Sequence, residues 1–223
     1  MKKLLCDHRK VLALAAVILF SLTTSPLAAN LVVNPGFEDP ITSDGPPFVG
    51  SWEGFSASGA SAFNSVVMPR TGLQSLGLSI STTPNTFAGA LQDVPGLVSG
   101  TEYTFGGWHA TTSNPLNGSA LNVGVEIRIE WRNAGSNTEI GRTPNLTPIP
   151  LGSYSPFSLT ATVPVGADTA RAVYAIQTFS TSPLGNGTVY VDDVSFAVVP
   201  EPSTGLLVLS GLLGLAARRR RCA

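Results

Sequence analysis

The clearest pattern in the chain runs from Asn122 to Arg132. Val123, Val125, Ile127, Ile129 and Trp131 fall on one side, and Gly124, Glu126, Arg128, Glu130 and Arg132 on the other. Strict alternation over that length predicts a β-strand with one buried face and one wet face. Shorter runs of the same kind recur along the chain. They are residues 31–33, 48–53, 62–68, 74–81, 87–94 and 101–110, then 154–163, 169–178 and 188–198. Gly, Pro, Ser, Thr and Asn separate them, and no long helical period appears.

About ten short strands at this spacing predict an all-β sandwich. Residues 30–198 suit one such domain, with enough Val, Ile, Leu and Phe for its inner faces. The stretches 111–119 and 133–152 read as long loops on that scaffold, where function often sits.

The two ends have a different pattern. Residues 1–10 are basic, Val11 to Phe20 is an apolar run, and small residues then lead to Ala29. This reads as an export signal over residues 1–29, with a signal helix and cleavage after Ala29, although Leu27 departs from the small-residue rule. At the other end Pro200-Glu201-Pro202 precedes an apolar stretch, Gly205 to Ala217, and then Arg218, Arg219, Arg220 and Arg221. As a helix that stretch spans about 20 Å, short of a hydrocarbon core of roughly 30 Å. It could cross by drawing in its flanks or thinning the bilayer. The arginines would then stay on the cytoplasmic side, with the middle of the chain outside the inner membrane.

Charge narrows the function classes. Between residues 30 and 200 there are five arginines, no lysine and twelve carboxylates, a formal charge of −7. Nucleic-acid binding needs a basic stripe, so that class is excluded. Both cysteines, Cys6 and Cys222, lie in the end segments. The middle therefore has no disulfide, no thiolate zinc site and no cysteine nucleophile. Its one histidine, His109, rules out a two-histidine metal motif.

The tail, residues 199–223, resembles the PEP-CTERM sorting signal: a Pro-Glu-Pro motif, a short hydrophobic helix and an arginine cluster, in that order. The resemblance implies recognition by an exosortase-type enzyme, with processing near Pro200–Pro202. It also implies insertion in the inner membrane before processing and surface or extracellular delivery afterwards.

The middle resembles the jelly-roll domains of carbohydrate-binding modules. The opening Asn30-Leu-Val-Val-Asn34-Pro-Gly36-Phe37-Glu38 is followed by Trp52 and then by Arg70-Thr-Gly72-Leu-Gln-Ser75-Leu. Leu91-Gln92-Asp-Val, Ser99-Gly100-Thr-Glu-Tyr103-Thr-Phe105 and the closing Val189-Tyr190-Val191-Asp192-Asp193-Val194-Ser195-Phe196 complete the order. The resemblance implies a structural calcium shared by Glu38 and one of Asp192 or Asp193, with Asp39 as a possible extra ligand. Adjacent aspartates on a strand point to opposite faces, so only one joins a site readily.

Sugar binding by such modules uses exposed aromatics. Trp108 faces outward if Tyr103 and Phe105 face the core, and small Gly106 leaves its ring accessible. Trp52 follows a loop rich in Gly and Pro and is the second candidate; Tyr154 and Tyr174 rank below. Trp131 belongs to the core side of its strand, and the charged side of that strand could line a polar groove. Glu126 and Glu130 are about 13 Å apart along it, too far for a glycosidase pair. His109 lies on the side of Tyr103 and Phe105 and reads as packed rather than catalytic. The expected protein is exported, surface-sorted and non-enzymatic, with polysaccharide as ligand. A structural matrix or adhesion protein without a sugar site is the alternative, and a secreted hydrolase the second alternative.

Overall fold

In a computed structural model, residues 28–81, 85–112, 123–178 and 186–200 are described. The compact unit Ala29–Val199 carries ten strands: β1 (Glu53–Ser56), β2 (Ala60–Ser65), β3 (Ser75–Ile80), β4 (Phe87–Pro95), β5 (Glu102–Thr111), β6 (Val123–Asn133), β7 (Thr138–Arg142), β8 (Ser155–Thr162), β9 (Thr169–Thr178) and β10 (Gly187–Val198). They form two antiparallel five-stranded sheets, an all-β sandwich with no helix among the described residues. The first sheet has the order β1-β4-β9-β6-β7 and the second β2-β3-β10-β5-β8. The expected signal helix and C-terminal hydrophobic helix, Glu201, Pro202 and Arg218 to Arg221 lie outside the described residues.

Alternation builds the core. Val125, Ile127 and Ile129 of β6 are fully buried and Trp131 is nearly so. They meet Leu76 and Leu78 of β3, Phe105 of β5 and Val189, Val191 and Phe196 of β10 in one hydrophobic cluster. Burial of this apolar surface is the main favourable term for the fold.

Four sequence expectations are corrected. Residues 31–33 form no strand; Leu31 N–H donates to the Phe196 carbonyl at 2.8 Å, laying the segment beside β10. Of residues 48–53 only Glu53 is in a strand, the first residue of β1. The stretch 133–152 is not one loop, because β7 pairs with β6 inside it. The polar side of β6 is also not freely solvated: Glu126, Arg128 and Arg132 are half-buried and Glu130 is buried.

Candidate functional site

The outer face of the first sheet follows from its register. Outward positions align in rows across the strands. One row is Phe55 (β1), Gly89 (β4), Ala175 (β9) and Glu126 (β6). Beside it lie Phe87, Gln177 and Gly124. On the other side come Glu53, Leu91, Val173 and Arg128, and beyond them Asp93, Arg171, Glu130 and Arg142.

The first two rows join aromatic and polar groups. The Phe55 ring lies over Gly89, where any Cβ would collide with its Cζ. Phe55 and Phe87 have ring centroids 6.1 Å apart, tilted by 51°, and Phe87 is 42% exposed. Beyond the ring-covered Gly89, across Ala175, Glu126 Oε1 accepts hydrogen bonds from Gln177 Nε2 at 2.6 Å and Asn145 Nδ2 at 2.8 Å. An apolar surface with a few fixed polar groups is the composition of a ligand site.

The remaining rows are ion-paired. Arg171 holds Asp93 bidentately at 2.7 and 2.9 Å and lies over the Phe48 ring at 4.5 Å. Arg128 bonds Glu130 at 2.8 Å and approaches Glu126 at 3.6 Å, while Arg142 pairs with Glu139 through two bonds of 2.7 Å. Those bonds hold the Glu139 carboxyl below its usual range.

The second sheet presents the residues singled out from the sequence. Trp108 does face outward and is half-buried. Its ring is not open, because the Arg70 guanidinium stacks over it, 3.9 Å from the centroid. Trp52 does not fit the expectation of a binding platform. It is 1% exposed, packs on Phe37 at 5.0 Å and donates its indole N–H to the Asn34 carbonyl at 3.1 Å. Tyr174 is buried beside His109, with the hydroxyl 2.7 Å from Nδ1. Burial lowers the His109 pKa to about 4 and raises that of Tyr174. Tyr154 donates to the Met68 carbonyl, and burial pushes its hydroxyl up to about 12.

The carboxylates Glu38, Asp192 and Asp193 gather on one strap, residues 70–74. Asp192 Oδ2 accepts the N–H groups of Arg70 at 2.7 Å and Thr71 at 3.2 Å, and its Oδ1 accepts that of Asp193 at 2.7 Å. Glu38 Oε1 accepts those of Leu73 at 2.9 Å and Gln74 at 3.2 Å. Asp193 takes the Arg70 guanidinium in an ion pair and the Thr71 hydroxyl at 2.5 Å. The rule that adjacent aspartates diverge fails here. A bulge sets Asp193 and Val194 against Gly107, and Asp193 has φ +46°, so both carboxylates reach the strap. Asp39 is exposed and its backbone is held by Asn34.

The chemistry of this strap can take a hard cation in part. Asp192 is fully buried, and among the described residues it makes no ion pair with a cationic side chain; burial raises its pKa against the three N–H donors. Calcium needs six to eight oxygens. Among the described residues no three acidic, histidine or cysteine side chains converge as a metal cage. Backbone carbonyls and water would have to complete the set.

Sequence reasoning missed Phe55, Phe87, Gln177 and Asn145. Each is ordinary in its own segment, and only the register across β1, β4, β9 and β6 brings them together.

Comparison with known proteins places the tail and the fold. Residues 198–221 match the PEP-CTERM protein-sorting motif, which implies an exported, surface-sorted protein. No curated protein sequence matches the chain. The CBM22-1 xylan-binding domain of Xyn10C from Paenibacillus barcinonensis is similar in structure, with TM-score 0.51 and 13% identity, over 80% of this chain and 100% of that one. The tandem CBM22-1–CBM22-2 domain of the same protein gives TM-score 0.51 and 15% identity, over 81% of this chain and 50% of that one. The enzymatically active domain of tailspike protein 4 from bacteriophage CBA120 gives TM-score 0.52 and 15% identity. That match covers 76% of this chain but only 21% of the tailspike chain. At such identities the likeness shows the fold: a β-sandwich of the carbohydrate-binding-module type.

Proposed function

We propose that the chain is a non-catalytic polysaccharide-binding protein of the cell surface, and that the glycan lies on the outer face of the first sheet. One observation carries the reading: Phe55 over Gly89, in one row with Ala175 and the Glu126–Gln177–Asn145 cluster. A sugar ring stacks its C–H face on an aromatic and offers hydroxyls to amide and carboxylate groups at its rim. Because the Phe55 ring reaches over Gly89 on β4, it stands about two strand spacings from the Glu126 cluster on β6, roughly 10 Å, enough for about two sugar units. The xylan-binding domain with the same fold supports the ligand class. Trp108 becomes a secondary candidate, reached only where Arg70 moves aside.

The non-catalytic character is supported by the state of the carboxyls. A general acid needs a raised pKa at an open position. Burial raises the Asp192 carboxyl, but that group is fully buried under the strap and not at an open position. The sorting motif implies export and supports processing by an exosortase-type enzyme at Pro200-Glu201-Pro202, and in this reading the chain passes through the inner membrane on the way. Calcium in this reading is structural, held by Glu38 and Asp192 with carbonyl and water oxygens.

The test is a polysaccharide array probed with the full chain in mild detergent, repeated with Phe55→Ala, Glu126→Gln and Trp108→Ala. Loss of about tenfold or more in affinity for the first two, with the third close to wild type, supports the site. Silence across the array from folded protein overturns polysaccharide binding and favours the structural or adhesive role. Loss with Trp108→Ala alone moves the site to the second sheet.

A further inference from the structure

Each sheet has two edges, and three of the four are closed. Beside β1, Thr42 N–H donates to Trp52 O at 2.7 Å and Thr42 O accepts from Gly54 N–H at 2.8 Å. Beside β2, Asn64 holds the 37–41 segment, donating to Phe37 O at 2.7 Å and accepting from Ile41 N–H at 2.9 Å. The β7 edge is five residues long and carries Glu139 and Arg142. Short, covered or charged edges are how sheets avoid pairing with other chains.

Among the described residues the β8 edge is neither short, covered nor charged. Its eight residues, Ser155 to Thr162, include no ionisable side chain. Their pairing partner is β5, and no strand or bridge pairs the opposite edge among the described residues. The hydrogen-bond phase identifies the free groups. Val163 directs both its N–H and its carbonyl at the β5 side, bonding Thr101 O at 3.0 Å and Gly100 N–H at 2.9 Å. By the alternation of an antiparallel ladder, residues 157, 159 and 161 do the same. Ser158, Thr160 and Thr162 therefore point their N–H and carbonyl groups away from the sheet, and Pro156 its carbonyl alone. All four residues are exposed.

We infer that β8 is a docking edge for a second copy of this chain, paired antiparallel with Thr160 opposite Thr160. The strand is self-complementary in that register. Ser158 then faces Thr162, and each such pair exchanges two N–H···O bonds. Pro156 faces Pro164, so the ladder ends on both sides where neither strand has a donor to leave unpaired. On the inner side Leu159 faces Ala161. Both are partly buried against the core, and pairing continues that core across the junction. No like charges meet, although the domain is acidic overall. The two second sheets become one continuous sheet, and the outer faces of both first sheets stay free. Such a dimer is closed and two-fold.

Sedimentation velocity of the full chain in mild detergent tests the inference. The wild type is expected as a dimer. Thr160→Lys places two ammonium groups opposite each other and should weaken association by roughly tenfold or more, with an unchanged circular-dichroism spectrum. Where that variant melts early, Thr162→Lys asks the same question at the end of the ladder. A Thr160→Cys variant in a Cys6→Ser, Cys222→Ser background should cross-link to a covalent dimer with a short bis-maleimide, because the side chains of a hydrogen-bonded pair stand too far apart for a direct disulfide. A monomer at every concentration overturns the proposal. So does a dimer that both lysine variants leave intact, which would assign association to the apolar tail. A dimer lost with lysine but without cross-linking at Thr160 overturns the register.

Discussion

Arg70 covers Trp108: the guanidinium carbon stands 3.9 Å from the indole centroid. The contact is imposed from below. Asp192, Asp193 and Glu38 together fix the backbone and side chains of residues 70–74, and Arg70 has little choice but to lie over the ring. Segments distant in sequence, the opening turn and the closing strand, thus decide whether an aromatic on the second sheet is open. A masked tryptophan contributes packing and a cation–π contact in place of a sugar platform.

Replacing Arg70 should unmask it. Arg70→Ala is expected to cost under about 1 kcal/mol, since the contact and its ion pair are both partly solvated. The readout is acrylamide quenching of tryptophan fluorescence. Trp52 and Trp131 are 1% and 5% exposed, so an increase reports Trp108. Unchanged quenching means that other atoms also close over the ring.

The strap also makes a prediction about calcium. If Glu38 and Asp192 share a cation, EDTA should lower the melting temperature, and Asp192→Asn should abolish that response. Identical melting with EDTA and with calcium removes both as ligands and leaves the strap held by N–H donors alone. Gly72→Ala provides the structural control. Gly72 has φ +63°, and a Cβ there would collide with Glu38 Oε1, so the variant should release the strap and destabilise the domain with or without calcium.

Much of the fold was legible because alternation reports burial directly. The β6 run and the starts and ends of β3, β4, β5, β8, β9 and β10 follow from it within a residue or so. What failed has physical causes. The β7 sequence Thr-Glu-Ile-Gly-Arg is too short and polar to stand out from the Gly- and Asn-rich stretch around it. Trp52 looked available because its loop is rich in Gly and Pro, yet a loop can fold its aromatic onto Phe37. The convergence of Asp192 and Asp193 depends on a bulge that strict alternation cannot anticipate. The aromatic and polar rows of the first sheet need the register of four strands, which no single segment encodes.

The buried pair His109 and Tyr174 sets an acid limit. Burial lowers His109 from 6.5 to about 4, so the folded state prefers the neutral ring. The unfolded chain binds the proton first as pH falls. Stability is therefore fully present above the unfolded pKa and is lost as pH drops from about 6.5 towards 4, by roughly 3 kcal/mol. Chemical denaturation at a series of pH values should show this slope, and His109→Gln should flatten it. A slope that survives the substitution assigns the acid sensitivity elsewhere.

The glycine beneath Phe55 separates platform from scaffold. At Gly89 a Cβ would collide with the Phe55 ring and stand 2.8 Å from the Tyr174 carbonyl oxygen and 2.9 Å from the Ala175 Cβ. The ring could swing aside, but the backbone oxygen cannot without shifting β9. Gly89→Ala is thus expected to cost about 1–3 kcal/mol of stability and to weaken glycan binding by tilting Phe55 off the sheet. In Phe55→Ala only the ring is lost. The glycine stays uncovered, the backbone is untouched, and binding should fall further than stability does. The double variant isolates the two effects. If Phe55 is the platform, adding Gly89→Ala to Phe55→Ala should leave the residual affinity almost unchanged while still lowering the melting temperature through β9. A further additive loss of affinity in the double variant would mean that Gly89 shapes the glycan site without acting through Phe55.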